Sequence, residues 1–339
     1  MKKRISTIVI GVVVSIALAG LAFATVLSLH APKALASVNC TPTNFYRDGI
    51  NLTAALINPA STVSGDVDAS GCNIGVYYSA GVTGTVDGAT IHNATYYGVV
   101  NNGGAVNVTN SSIHEIGESP FNGDQHGVAV YWVYGSAATG SITNNMIWDY
   151  QKGGIVVNGV GSSADIRGNT VKGFGPINFI AQNGIQIGYG AAATVMSNTV
   201  SGNSYTGTST VSGGIIVVGG PCYGAAYTTG THIVGNTVVN NDVGIWLTNI
   251  DADCVSAPTT ATNIKVVNNT ISNDAVNNNY GGFGYQAGVA DQGYNDKIIH
   301  NTISGAGYNP ATSATAYLVA IDASSSFTNK VKVHANVIS

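Results

Sequence analysis

Short apolar segments that begin with a glycine recur along the chain at a nearly constant spacing. They share a Gly followed by a short, mainly apolar stretch whose side chains alternate inward and outward, and they occupy residues 98–100, 127–130, 154–157, 184–187, 214–217, 244–247 and 288–290. Successive glycines of this set are 29, 27, 30, 30, 30 and 44 residues apart. Alternation over so few positions is typical of a short β-strand, and a fixed long period predicts an array of stacked repeats.

A second motif places an asparagine two residues before a branched apolar residue. Its members are Asn145, Asn169, Asn198, Asn236, Asn269, Asn301 and Asn336. Asparagines that only mark turns would be scattered, whereas these keep one offset to Val or Ile. We therefore predict a structural ladder in which stacked side-chain amides donate and accept hydrogen bonds along the repeat axis.

These patterns together predict the fold. Each period holds two or three short strands separated by Gly and Asn turns, and no segment between them has helical spacing. A strand that repeats without a crossover helix pairs with its own copy in the next coil, about 4.8 Å away. We expect an all-β, single-stranded parallel β-helix over residues 67–339, preceded by a cap of residues 37–66. The amphipathic pattern of residues 51–58 predicts a short capping helix.

The N-terminus carries an export signal. Basic residues at 2–4 precede an apolar run over 5–29, and Ala34-Leu35-Ala36 fits a cleavage site. Residues 1–36 are thus a signal peptide, or an uncleaved membrane anchor, because the run is long enough to span a bilayer. Either alternative predicts an extracellular or cell-surface protein.

Charge narrows the range of partners. Loss of residues 1–36 leaves eight basic and sixteen acidic residues, so the net charge of the remainder is about −8. A negative field of this size repels nucleic acid, and it weighs against a broad surface for polyanions, although one local basic cluster reverses that locally. No nucleic-acid or protein partner is predicted.

The four cysteines fit the repeat. Cys40 and Cys72 are 32 residues apart, and so are Cys222 and Cys254, which is about one coil. Adjacent coils bring equivalent Cα atoms within disulfide range, and an exported protein meets an oxidising environment. We predict these two disulfides. Zinc is not favoured because no ligand spacing supports it, and no metal site is predicted.

In these repeats the chain resembles the right-handed parallel β-helix superfamily. Segments 150–155 and 181–188 are similar to those of uncharacterised bacterial secreted β-helix proteins, and the coils resemble those of pectate-lyase-like enzymes and polysaccharide epimerases. The resemblance implies right-handed coils and no assigned reaction. The motifs of polygalacturonase-like enzymes are missing, and residues 124–126 only approach an epimerase-like pattern.

Coil register groups several polar residues on one predicted face. Carboxylate, imidazole and amine groups that converge suit proton abstraction from a sugar, and exposed aromatic rings suit its binding. The candidate catalytic residues are Asp124, His126 and Lys152. The candidate substrate-binding residues are Gln125, Tyr131, Trp132, Gln151, Gln182, Asn183 and Tyr189. The competing interpretation is that these groups are polar turn residues that face water.

Function is predicted only by class. The leading hypothesis is a protein that binds extracellular polysaccharide or cell-wall glycan and processes it as a lyase, epimerase or hydrolase would. The alternative is a non-catalytic structural or adhesive surface protein, so whether the chain is an enzyme stays open. No cofactor is expected, and calcium is left open because Asp251 and Asp253 lie close together.

Overall fold

A computed structural model describes residues 39–277, 282, 284–323 and 329–339; the predicted signal segment lies outside them. Within these ranges the chain is all-β, and its helical content is limited to the short 3-10 turns Pro221–Tyr223, Ala306–Tyr308 and Pro310–Thr312. Over the same residues, no helix has the length and apolar character needed to cross a membrane.

The strands are short and follow one another at regular intervals. The first fourteen are β1 Thr41–Arg47, β2 Ile50–Ile57, β3 Val63–Asp68, β4 Ile74–Tyr78, β5 Thr83–His92, β6 Tyr97–Asn101, β7 Ala105–Thr109, β8 Ser112–His114, β9 Val128–Trp132, β10 Thr139–Thr143, β11 Met146–Trp148, β12 Gly153–Asn158, β13 Ser163–Arg167 and β14 Thr170–Lys172. The others are β15 Asn183–Gly188, β16 Ala192–Met196, β17 Thr199–Ser201, β18 Gly213–Gly219, β19 His232–Val234, β20 Thr237–Val239, β21 Val243–Asn249, β22 Lys265–Val267, β23 Thr270–Ser272, β24 Tyr285–Asp291, β25 Lys297–Ile299, β26 Thr302–Ser304, β27 Tyr317–Asp322, β28 Lys332–His334 and β29 Val337–Ile338.

These strands form two long sheets. The 11-stranded sheet has the order β1-β2-β4-β6-β9-β12-β15-β18-β21-β24-β27 and is parallel except for the β1–β2 hairpin. The 18-stranded sheet consists of two parallel ladders that both include β5. From β6 onward, each coil adds one strand to the first sheet and two strands to the second.

Strands one coil apart are paired in register, as the glycine-led pattern predicts. Ile155 of β12 lies opposite Val130 of β9 and Ile185 of β15, and the same register continues through Ile215 and Ile245. The prediction that residues 127–130, 154–157, 184–187, 214–217 and 244–247 stack in parallel is confirmed.

One hydrophobic core receives side chains from all three ladders. Ile155 from the first sheet and Ile166 and Val171 from the second are fully buried in the same cluster. This packing explains the branched apolar residue at each repeat position, because β-branched side chains fill a pleated, buried surface well.

The predicted capping helix at residues 51–58 is wrong. Ile50–Ile57 is strand β2, which pairs with β1 on one side and with β4 on the other. The apolar residues of this segment satisfy both helical and alternating spacing. Burial of Leu52 and Ala54 follows the alternating pattern, because β4 offers a strand edge to pair with.

Amides of the asparagine column are hydrogen-bonded to one another along the coils. Asn169 Nδ2 donates to Asn198 Oδ1 over 2.9 Å, and Asn198 Nδ2 donates to Asn236 Oδ1 over 3.0 Å. The same contact continues through Asn269 and Asn301. Each amide also reaches a backbone carbonyl, so the turns of adjacent coils have their buried polar groups satisfied.

Both predicted disulfides are present. Cys40 bonds Cys72 and Cys222 bonds Cys254, with Cα atoms 5.3 and 4.9 Å apart. The first bond attaches the chain near β1 to the coil that begins at β4, and the second joins two turns one coil apart.

Candidate functional site

A cleft of about 410 Å³ opens on the face of the 11-stranded sheet that is turned away from the core. Strands β6, β9, β12 and β15 form its floor, while β1 and the turn around the 3-10 segment Pro221–Tyr223 add further side chains. We call it the tyrosine cleft and define it by its lining residues, Arg47, Tyr97, Gln125, Val128, Tyr131, Tyr134, Lys152, Val156, Asn158, Gln186, Tyr189, Tyr223, Gly224 and Ala225.

Five tyrosines supply the aromatic surface of this cleft. The rings of Tyr97 and Tyr131 stack with centroids 4.6 Å apart, because they project from the neighbouring strands β6 and β9. Tyr134 meets Tyr189 edge to face at 5.6 Å, and Tyr189 lies 6.4 Å from Tyr223. Such rings present flat apolar faces together with hydroxyl groups that can bond a polar ligand.

Tyr189 holds an unfavourable backbone conformation. Its φ is +58°, a left-handed value that is unusual for a bulky residue. Asn158 pairs with Gly188, so the equivalent position one coil earlier is Gly159, at φ +97°. A non-glycine residue in this region costs about 1–3 kcal/mol. The chain thus accepts strain at the position that brings the Tyr189 ring into the cleft.

Polar groups lie between the rings. Gln186 Nε2 donates to Asn158 Oδ1 over 3.1 Å, and Lys152 Nζ donates to the carbonyl oxygen of Ala181 over 2.8 Å. Burial lowers the pKa of Lys152 to about 8, because a low-dielectric environment disfavours its charged form. Burial raises the pKa of Tyr97 and of Tyr131 above the usual phenol value, so both remain neutral near pH 7.

Of the three candidate catalytic residues, Asp124 and His126 lie close together, with side-chain ligand atoms within 4.8 Å of each other, while Lys152 belongs to the cleft lining. Lys152 lines the tyrosine cleft, but His126 is buried, stacks on Tyr96 at 3.8 Å and contacts Glu118 Oε1 through Nε2 at 2.9 Å. Glu118 lines a different cavity. Asp124 is exposed and accepts a hydrogen bond from Asn122 Nδ2.

His126 instead belongs to a small group of metal-binding residue types. The ligand atoms of Glu118, Asp124 and His126 all lie within 4.8 Å of one another. Two carboxylates and one imidazole are donors that suit a divalent transition metal. The sequence did not indicate this group, because the loop that folds Glu118 back towards His126 follows no repeat spacing.

Three candidate binding residues are buried away from the cleft. Trp132 is 0% exposed and lies in the core, because its neighbour Tyr131 takes the outward position of β9. Gln182 is also fully buried, with bonds to the backbone of Phe174 and Tyr150. Gln151 is buried under the loop that contains Glu118 and Asp124. The assignment of Trp132, Gln151 and Gln182 to a ligand-binding face is corrected accordingly.

The other binding candidates divide between the cleft and its margin. Gln125, Tyr131 and Tyr189 line the cleft. Asn183 is partly buried at the start of β15, where its Oδ1 accepts a 3.4 Å hydrogen bond from the backbone of Gly213. Sequence reasoning missed Arg47, which lies in the segment assigned to the cap, as well as further lining residues of the cleft, Asn158, Gln186 and Tyr223.

A second cavity, of about 200 Å³, lies further along the same sheet. Trp246 and Tyr285 contribute aromatic surface, and Tyr285 Oη donates to Asp322 Oδ2 over 2.8 Å. Asp291 lines this cavity as well and shares a hydrogen bond with buried Asp296. Asp251 and Asp253, by contrast, accept hydrogen bonds from their own turn, at Ala252 and at Val255 and Ser256.

No protein-family model and no curated protein matches this chain. Among solved structures, the Dettilon tailspike protein is similar, with a TM-score of 0.42 and 13% sequence identity over 79% of this chain. The match spans 61% of the tailspike chain, which is less than two thirds of its length.

Proposed function

We propose that the three ladders wind as one right-handed parallel β-helix over residues 67–339, with residues 37–66 at its N-terminal end. Each coil pairs with the next in register, and one core takes side chains from all three ladders. Connections between parallel strands of one sheet are right-handed in nearly all proteins, which supports this hand.

We further propose that the protein binds polysaccharide outside the cell and that the tyrosine cleft is the binding site. The observation that carries this proposal is a cleft lined by five tyrosines with amide and cationic groups between them. Sugar rings have an apolar face that packs on aromatic rings and hydroxyl groups that bond amides. Two disulfides are consistent with an extracellular protein. The proposed binding needs no cofactor and no protein partner.

Binding is favoured over turnover. General acid–base catalysis requires an acid and a base that reach one sugar ring. Lys152 lines the cleft, whereas the ring nitrogen of His126 contacts Glu118. We therefore assign no lyase, epimerase or hydrolase reaction to this site, and incubation with bound glycan should release no unsaturated product by ultraviolet absorbance.

Replacement of one exposed cleft tyrosine tests the proposal. Tyr134 is 52% exposed, so Tyr134→Ala removes ring surface without opening the core. A glycan array first identifies a ligand, and titration calorimetry then measures its affinity. We expect Tyr134→Ala to weaken binding by about fivefold, which corresponds to roughly 1 kcal/mol for one stacking ring.

Tyr46→Ala is the matched control. Tyr46 is 62% exposed and does not line the cleft, so this variant should bind like the wild type. If the wild type retains no glycan on the array, or if both variants lose affinity equally, the cleft is not a glycan site.

A further inference from the structure

The tyrosine cleft has a charge opposite to that of the protein around it. The sequence carries sixteen acidic and twelve basic residues, yet the described residues that line the cleft include Arg47 and Lys152 and no carboxylate. A local cationic site within an acidic protein attracts an anionic group only where the two cations lie.

In the part of the chain that the structure describes, Lys152 lacks a counter-ion. Its side chain is partly buried, and within the described chain its ammonium makes one hydrogen bond, to the carbonyl oxygen of Ala181, with no carboxylate within 4.0 Å. An ammonium group has three donors, so two remain for a ligand. Burial of a cation without a partner is unfavourable, and a bound anion removes that cost.

Arg47 offers a second set of donors. Its Nε lies 3.5 Å from Asp48 Oδ2, and its side chain is 41% exposed. Across the part of the chain that the structure describes, no hydrogen bond uses the two terminal guanidinium nitrogens. A guanidinium binds a carboxylate through two parallel hydrogen bonds, which fixes the orientation of the anion.

We propose that the tyrosine cleft takes an acidic sugar, with the carboxylate of a uronic acid residue held by Lys152 and Arg47. This inference rests on the proposed function. The cavity further along the same sheet is lined by Asp291 and Asp322, so a polymer with a carboxylate on every sugar is repelled there. The ligand is therefore a polysaccharide in which isolated uronic acid residues stand among neutral sugars.

The experiment compares defined oligosaccharides on the full chain. The first probe contains one glucuronic acid among neutral sugars, and the second is its carboxyl-reduced counterpart. The third carries a sulfate ester in place of the carboxylate, and the fourth is an oligogalacturonate of equal length. We expect the wild type to bind the first probe about tenfold more tightly than each of the others, because a charge-assisted hydrogen bond is lost or misplaced.

Lys152→Met tests the residue. It keeps the length of the side chain and removes the charge, so the preference for the first probe over its carboxyl-reduced counterpart should fall from about tenfold to about threefold, because Arg47 still donates to the carboxylate. Lys172→Met is the control, because Lys172 is an exposed lysine on β14 of the other sheet. It should retain the tenfold preference.

Each outcome has a separate meaning. A wild type that binds the acidic and reduced probes equally overturns the acidic-sugar inference and leaves glycan binding intact. A wild type that binds none of the probes and no glycan on the array overturns the proposed function itself. Tighter binding of the sulfated probe or of oligogalacturonate, or an unchanged preference in Lys152→Met, also contradicts the assignment.

Discussion

Asn236 connects three coils through one buried side chain. Its Nδ2 donates to Val195 O and Asn269 Oδ1, each over 2.9 Å, and its Oδ1 accepts from the backbone and side-chain nitrogens of Asn198. One residue thus satisfies polar groups of the coil before it and the coil after it. A buried group that loses its partner costs about 1–3 kcal/mol, so the ladder is sensitive to any single gap.

Asn236→Ala should therefore lower the free energy of unfolding by about 2–4 kcal/mol, because it leaves polar groups of Asn198 and Val195 unpaired. Urea denaturation followed by circular dichroism measures the change. Asn107→Ala is the control, since Asn107 is an exposed asparagine of β7 and should change stability much less. Equal stability of the two variants would mean that the ladder amides contribute nothing net.

The sequence predicted the position of the Asn236 side chain correctly and that of the Trp132 side chain wrongly. The asparagines keep one offset to the next branched residue, and a side-chain column follows from that offset. Tyr131 and Trp132 are consecutive, so only one of the two can face outward. Both are aromatic, and an apolar ring suits either the core or a binding face, so composition alone does not distinguish them.

The conformation of the loop between β8 and β9 is stabilised by one side chain that lies beneath the loop. Gln151 Oε1 accepts hydrogen bonds from the backbone nitrogens of Glu118 and Asn122, and its Nε2 donates to Asn122 Oδ1 and Asp124 O. The loop is bounded by glycines at 117 and 127, where a Cβ atom would lie 2.5 Å from Gln151 Cβ. The close approach thus requires glycine at both positions.

Gln151→Ala should loosen this loop without unfolding the sheets. Two loop nitrogens lose their acceptor, so backbone amides at 118 and 122 should exchange hydrogen at least roughly fivefold faster, for a loss of about 1 kcal/mol. Hydrogen exchange with mass spectrometry measures this, with β12 as an internal reference. Gln125→Ala serves as the control, because Gln125 is exposed and, among the residues that the structure describes, its side chain bonds only Gly123 O. Uniformly faster exchange across both sheets would point to global destabilisation instead.

Strand β2 shows why elements at the end of a repeat are harder to predict than those within it. Inside the array, the glycine-led segment occurs seven times, and this repetition favours one interpretation. The pattern of residues 51–58 is not repeated elsewhere in the array, and its apolar positions fit a helix and a strand equally well. The segment forms a strand because it pairs with the edge of β4, and the sequence pattern of residues 51–58 does not contain this tertiary contact. The cleft has the same limitation, since Arg47 and Tyr223 reach it from segments outside the repeat.

For the whole molecule, a buried pair of acids makes stability depend on pH. Asp291 and Asp296 share a hydrogen bond, and burial raises the pKa of both carboxyl groups; the charge of Asp291 raises that of Asp296 further. Unfolded, each has a pKa of about 3.9. The folded state therefore binds more protons above that value, and its stability falls as pH rises through the raised pKa values.

Replacement of one acid of this pair should reduce that dependence. Asp296→Asn keeps an acceptor for Thr262 Oγ1 and the backbone nitrogen of Ile264, and its amide can donate to Asp291 without carrying charge. Between about pH 5 and about pH 9, the wild type should lose more unfolding free energy than the variant. Asp274→Asn, at an exposed site, should follow the wild type. Parallel curves for wild type and Asp296→Asn would exclude a contribution from the pair.

The Cys222–Cys254 disulfide also determines how the molecule responds to tension. Strands of the described residues pair mainly with strands one repeat before and after them, and such an array opens from its ends when the chain is pulled. The disulfide carries the tension along the covalent chain directly from Cys222 to Cys254. The backbone between the two cysteines, which includes β19, β20 and β21, is therefore not stretched. That segment would extend by roughly 100 Å if it were loaded. While the disulfide is intact, this segment cannot be extended by pulling on the chain, and it becomes extensible once the disulfide is reduced.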